Sequence, residues 1–141
     1  MTHNTPFVLI VADDNPDDRL LLQTAWEETA PVFLYLVEDG QELMDLLYRQ
    51  GKYTGTEVII YPDLILVDLK MPRKNGHEAL AEIKTHPELS KIPVVILTTS
   101  NAESDVARSY KLGANACMTK PESFENLLQL VQTLYQTWLK L

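Results

Sequence analysis

Leu64-Ile65-Leu66-Val67-Asp68-Leu69-Lys70-Met71-Pro72-Arg73-Lys74-Asn75-Gly76 decides the fold. Its first four residues are apolar on consecutive positions, as in a strand buried on both faces. The run stops at a carboxylate, Asp68. The turn Lys70 to Gly76 then leads into a helix through Ala79, Leu80 and Ile83. The same unit recurs upstream, where Phe7-Val8-Leu9-Ile10-Val11-Ala12 stops at Asp13-Asp14. Asn15 can cap the helix that follows, Pro16 fits its first position, and Asp17 and Asp18 favour the positive end of its dipole. A second strand, Phe33 to Val37, turns at Asp39-Gly40 into a helix carrying Leu43, Met44, Leu46 and Leu47 and ending near Gly51. Downstream, Val94-Val95-Ile96-Leu97 ends at Thr98, and a helix from about Ala102 to Leu112 stops at Gly113. A short strand, Ala116 to Thr119, ends at Lys120-Pro121. Ser123 can cap a last helix that runs to about Leu139. Lys52 to Pro62 reads as a loop with an apolar patch, Val58-Ile59-Ile60-Tyr61.

Such alternation implies an α/β domain: a parallel sheet with helices on both faces, joined by right-handed crossovers. In open sheets of this kind the ligand sits outside the carboxyl ends of the strands.

Composition sets limits. With 141 residues, 45% of them hydrophobic, the chain fits one folded domain with one core. The formal net charge is −8 and no Lys/Arg cluster is present, which argues against nucleic acid as a partner. No apolar run approaches the roughly 20 residues needed to span a bilayer. Met1 to Pro6 is short and polar, without a signal-peptide pattern, so a cytoplasmic location is the default. The one cysteine, Cys117, allows neither an internal disulfide nor a thiolate metal cluster. His3, His77 and His86 lack close metal-ligand spacing and read as ordinary surface residues.

The chemistry lies at the strand ends. Asp13-Asp14, Asp68, Thr98 and Lys120 are scattered over the sequence, yet the topology brings them to one edge of the sheet. A single Asp at a strand end is usually a turn or cap residue; the coincidence of four strand ends points further. Carboxylates close together repel and raise one another's pKa. A hard divalent cation such as Mg²⁺ relieves that repulsion and prefers oxygen ligands. An aspartate can itself accept a phosphoryl group as an acyl phosphate, with metal and lysine neutralising the transferring group. Lys120 suits the role of point charge on a long stem, and the Thr98 hydroxyl suits a hydrogen bond to a phosphate oxygen.

Val11 to Asn15, Ile65 to Gly76, Pro93 to Thr99 and Gly113 to Pro121 together resemble the receiver domains of two-component response regulators. The match runs from about Phe7 to Trp138. The loop before Asp68, the segment His86 to Pro93 and the ending Tyr135 to Leu139 are similar to a subgroup, the stand-alone regulators that partner bacterial phytochrome histidine kinases. The resemblance implies a flavodoxin-like, doubly wound, five-stranded parallel sheet of order 2-1-3-4-5 with five helices, one receiver domain over residues 1–141. It implies that Asp68 is the phosphoacceptor, with Mg²⁺ as cofactor. Asp14, Asp68 and the backbone carbonyl of Lys70 would ligate the metal directly and Asp13 mostly through water. Thr98 would be the switch hydroxyl, Lys120 the phosphate-binding cation, and the Lys120–Pro121 peptide cis. A sensor histidine kinase or phosphotransfer protein would be the donor. Two departures stand out. Cys117 occupies the place of the usual switch aromatic; Tyr110 reads as an ordinary half-buried helix residue, with a substitute for that aromatic as the alternative, and Cys117 itself as a small buried apolar residue. Lys70 replaces a residue that is often small or polar, so a slow acyl-phosphate hydrolysis is expected.

No effector domain follows the last helix, so the signal is expected to leave through the domain's own surface or by onward phosphotransfer. Phe124, Leu127, Leu128, Val131, Tyr135 and Trp138 lie on that helix at core spacing. Leu130, Leu134 and Leu141 widen the stripe, either as partly exposed edge residues or as a partner surface, of which a symmetric homodimer is the simplest form. Two rival classes fit less well. An aspartate-nucleophile hydrolase of the haloacid-dehalogenase type wants Asp-x-Asp after the first strand and a cap. A nucleotide- or flavin-binding module wants a glycine-rich first loop, where this chain has Asp-Asp-Asn-Pro.

Overall fold

The computed structural model describes residues 6–55 and 61–139. Five strands, β1 (Phe7–Ala12), β2 (Val32–Val37), β3 (Leu64–Val67), β4 (Val94–Thr98) and β5 (Ala116–Thr119), alternate with five helices. These are α1 (Pro16–Glu27), α2 (Gly40–Tyr48), α3 (Gly76–Thr85), α4 (Glu103–Lys111) and α5 (Phe124–Leu134). All strand pairs are parallel, in the order β2-β1-β3-β4-β5. The expected fold is therefore the observed one.

Side chains alternate across each strand, and each face closes its own core. Ile10, Ala12, Ile65, Val67, Val94 and Ile96 face α2 and α3, meeting Leu43, Met44, Leu46, Leu80 and Ile83. Leu9, Val11, Leu64, Leu66, Val95 and Leu97 face the other way, onto Leu22, Ala25 and Trp26 of α1 and Leu127, Val131 and Leu134 of α5. Leu134 is thus core rather than an edge residue, while Leu130 is half-buried. After Leu134 the last helix widens into a π-helical stretch, Tyr135–Leu139, which buries Leu139. It also sets the Tyr135 ring edge-on to Phe7 at 6.1 Å.

Local chemistry fixes the helix starts. Asn15 caps α1 by accepting from Asp17 N and Asp18 N, Asn75 forms a capping box with Glu78, and Ser123 caps α5 through Asn126 N. Of the apolar patch expected before Asp68, Val58 to Ile60 lie outside the described residues, as do His3 and Leu141; Tyr61 is exposed. Two histidines are not plain surface groups. His77 Nε2 lies 2.9 Å from the buried Ser109 Oγ, and His86 Nδ1 accepts from Glu88 N and Leu89 N. Both are half-buried because each supplies a hydrogen bond to the segment it packs on.

Candidate functional site

The parallel ladder continues one residue beyond the strands, and each time that residue is one of the candidate site residues. Asp13 N donates to Val37 O at 3.0 Å, Asp68 N to Ala12 O at 3.0 Å, and Lys120 N to Thr98 O at 2.8 Å. Ala12 and Val67 are in register, as are Thr98 and Thr119. Each side chain therefore leaves the sheet at the same edge.

There they meet. Lys120 Nζ lies 2.6 Å from Asp13 Oδ2, 2.8 Å from Asp68 Oδ2 and 2.9 Å from Asp18 Oδ2. One carboxylate oxygen from each of Asp13, Asp14 and Asp68 falls within 4.8 Å of the others. Asp14 is exposed, whereas Asp13 and Asp68 are buried. The donor set is all hard oxygen, acidic, and open on one side, which fits a divalent cation of the Mg²⁺ or Mn²⁺ kind.

Electrostatics follow from crowding. Burial raises the Asp13 carboxyl above its ordinary range and outweighs the bonds from Lys120 and Asn15 N that act against it. Burial by itself would lower Lys120, but the hydrogen bonds to Asp13, Asp68 and Asp18 prevail and hold it well above the ordinary lysine value. The lysine is a permanent cation.

Thr98 is fully buried, and its Oγ1 accepts from Ser100 N at 3.2 Å. The Lys70 side chain is exposed. The Lys120–Pro121 peptide is trans, not the expected cis. Trans is the form an X–Pro bond favours by about 0.5–1 kcal/mol, and it accompanies a Lys120 side chain already reaching the pocket. Cys117 is half-buried rather than buried, and burial raises its thiol pKa. Its backbone N–H donates to the Tyr110 hydroxyl at 3.1 Å, so the exposed Tyr110 ring covers the free edge of β5 beside it.

The loop after Asp68 is latched from the side. Arg73, at φ 64°, donates to Asp39 through Nε at 2.9 Å and through its terminal NH2 at 3.1 Å. Gly40 N donates to Lys74 O at 2.9 Å. A side chain at Gly76 would put a Cβ 2.3 Å from Asp68 O, so only glycine lets α3 start so close to Asp68. Neither Asp18 nor this latch was singled out from the sequence. By its residue type and place Asp18 reads as a first-turn acid. The one available signal was that α1 starts at the same sheet edge as the acidic pair.

A protein-family model for the response regulator receiver domain matches residues 8–132. The chain belongs to the response regulator receiver domain family. Response regulator Rcp1 of Synechocystis sp. is 41% identical over 133 residues, which cover 94% of this chain and 88% of that protein. The receiver fold here also superposes on the crystal structure of the phosphorylated cyanobacterial phytochrome response regulator RcpA, with a TM-score of 0.88, 39% identity and 96% of each chain covered. The Mn²⁺-bound form of Rcp1 gives a TM-score of 0.85, 40% identity and 96% coverage of each chain. This receiver domain is thus similar to phytochrome response regulators, one of them solved with a divalent metal. Among its described residues no helix is long and apolar enough to cross a membrane.

Proposed function

We propose that this receiver accepts a phosphoryl group on Asp68 from a sensor histidine kinase or phosphotransfer protein, in a reaction that needs Mg²⁺, and so alters a partner-binding surface. The observation that carries the reading is the ammonium of Lys120 shared between Asp13 and Asp68, which sets the Asp68 carboxylate beside a cation able to neutralise an incoming phosphoryl group.

Asp13, Asp14 and Asp68, with the Lys70 carbonyl, would hold the cation. When bound, it supplies charge neutralisation for the phosphoryl oxygens. The rest falls to the chain itself. One Asp68 carboxylate oxygen attacks the phosphorus of a phosphohistidine; a P–O bond forms as the P–N bond breaks, and the electron pair stays on the imidazole. Lys120 neutralises the incoming group and Thr98 donates its hydroxyl to a phosphoryl oxygen. The domain thereby promotes its own phosphorylation and dephosphorylation, with no separate substrate turned over. A phytochrome-type kinase as donor fits the relatives' names, a cytoplasmic location belongs to the same proposal, and the surface that answers could be shared with a second copy of the chain.

Incubation with MgCl2 and acetyl phosphate, followed by intact mass, tests the reading. A phosphoryl adduct in the wild type and none in Asp68→Asn is expected; continuous release of phosphate from varied phosphoesters would instead make it a hydrolase. The exposed Lys70 is expected to shield the acyl phosphate from water. Its lifetime should shorten in Lys70→Asn, and equal lifetimes would remove that role.

A further inference from the structure

Lys120 has three N–H donors and gives one to each of three carboxylates. Two of these, Asp13 and Asp68, belong to the pocket floor. The third, Asp18, comes from the first turn of α1 and is the most open of the three, its side chain 33% exposed against 3% for Asp13 and 10% for Asp68. A carboxylate in the first turn of a helix ordinarily serves the helix dipole, and the exposed Asp17 beside it does the same. Asp18 is in addition drawn onto the ammonium, at the mouth of a small groove lined by Leu21, Leu22, Leu97, Pro121 and Leu127.

We infer that Asp18 is a positioning residue that competes with the phosphoryl group for Lys120, holding the ammonium while the site is empty and yielding it when Asp68 is modified. This rests on Asp68 being the phosphoacceptor. A phosphoryl oxygen arriving at Asp68 needs a donor from a lysine whose donors are all taken. The Asp18 bond is the one that opens to water at the groove, so its exchange costs least desolvation. While Asp18 stays, its negative charge also opposes a dianionic group on the same cation. Replacing it by a neutral isostere removes both obstacles and favours the loaded state.

The test is a titration with beryllofluoride, a phosphoryl mimic, in MgCl2, following the change in tryptophan fluorescence or the backbone NMR spectrum. Asp18→Asn is expected to bind it about three- to tenfold more tightly than wild type, the factor that one like charge removed at close range gives. Asp17→Asn, with the same change of formal charge but an exposed and screened side chain, should stay within about twofold. Asp18→Glu, which keeps the charge, should return to wild-type affinity; the Asp17→Asn control, which loses an equivalent first-turn charge without a lysine contact, separates the Lys120 contact from the helix dipole. If Asp18→Asn does not fold by circular dichroism, Asp18→Ser takes its place. Binding by Asp18→Asn that is equal to or weaker than wild type, or equal tightening in Asp17→Asn, overturns the inference while leaving Asp68 as acceptor. If the wild type takes no beryllofluoride at all, the phosphoacceptor reading fails and this one with it.

Discussion

Replacing Lys120 by Met keeps the aliphatic stem and removes the ammonium. Three carboxylates then lose a shared cation, but not equally. Asp18, 33% exposed, turns to water, so its loss is discounted. Asp13 and Asp68, at 3% and 10% exposed, cannot. At contacts of 2.6 and 2.8 Å and an effective dielectric near 20, each pair is worth about 6 kcal/mol before desolvation. Most of that is offset by dehydrating the partners, and removing one partner of a buried pair costs about 3–5 kcal/mol net. This is a large share of the about 5–15 kcal/mol that holds a domain folded. A divalent cation on Asp13, Asp14 and Asp68 replaces the missing charge, so MgCl2 at about 100 times its Kd should return about 2.7 kcal/mol to the variant. The wild type should gain less, because there the ammonium already neutralises part of the charge on those carboxylates. Urea unfolding followed by far-UV circular dichroism, in EDTA and in MgCl2, measures all four values. A loss below about 1 kcal/mol, the size of an exposed pair, would refute the reasoning. So would an equal magnesium effect in the two proteins.

Three further outcomes follow from the surroundings of the site. Burial alone would raise the Asp39 carboxyl, but its bonds from Arg73 and Glu42 N outweigh it and hold the group below the ordinary range. A depressed folded pKa means stability present above the unfolded value near 4 and lost as pH falls through the folded one; urea midpoints from pH 7 to 3 should fall more steeply in wild type than in Asp39→Asn, and parallel curves would count against the latch. Tyr110→Phe removes the acceptor of Cys117 N and should cost about 0.5–1.5 kcal/mol, with faster hydrogen exchange at the Cys117 amide and little change elsewhere in β5. Gly76→Ala places a Cβ 2.3 Å from Asp68 O, which backbone cannot evade cheaply; thermal unfolding should show a loss of about 2–4 kcal/mol, and an unchanged melting temperature would mean the close approach is not there.

The strands were legible because buried parallel strands are continuous apolar runs; Leu64–Val67 and Ala116–Thr119 have the bounds their residues suggest. The pocket was legible for a topological reason. Once strands are parallel and crossovers right-handed, residues that follow them must share an edge, so Asp13, Asp68 and Lys120 could be brought together without coordinates. What stayed hidden depends on side-chain direction. Asp18 satisfies a helix-start rule completely, so nothing in its type marks it as a lysine partner. The Arg73–Asp39 latch needs a left-handed arginine, a backbone state that residue type does not announce. The half-buried His77 is likewise invisible, since its partner Ser109 lies thirty-two positions away on another helix.

On the proposed phosphoacceptor reading, a change at Asp68 has to reach the surface past Cys117, a side chain without a ring, and the polar contacts around β4 offer a physical route. Thr98 Oγ1 accepts from Ser100 N, and Ser100 Oγ donates to Asp105 at 2.6 Å. Asp105 lies in the first turn of α4, whose N-cap, Ala102, provides no side-chain bond. The start of α4 is therefore held by Ser100 rather than by its own cap. Further along, Ser109 Oγ donates to Asp105 O at 2.8 Å and lies 2.9 Å from His77 Nε2. The next residue, Tyr110, accepts from the backbone of Cys117. A Thr98 hydroxyl that turns toward a phosphoryl oxygen gives up Ser100 N. The loop that bridges to Asp105 then has no fixed anchor on β4, and the bond it carries is charge-assisted and worth more than a neutral one. Helix α4 is thus tied to Thr98 at its start, through Ser100, and to β5 at its end, through Tyr110, by hydrogen bonds.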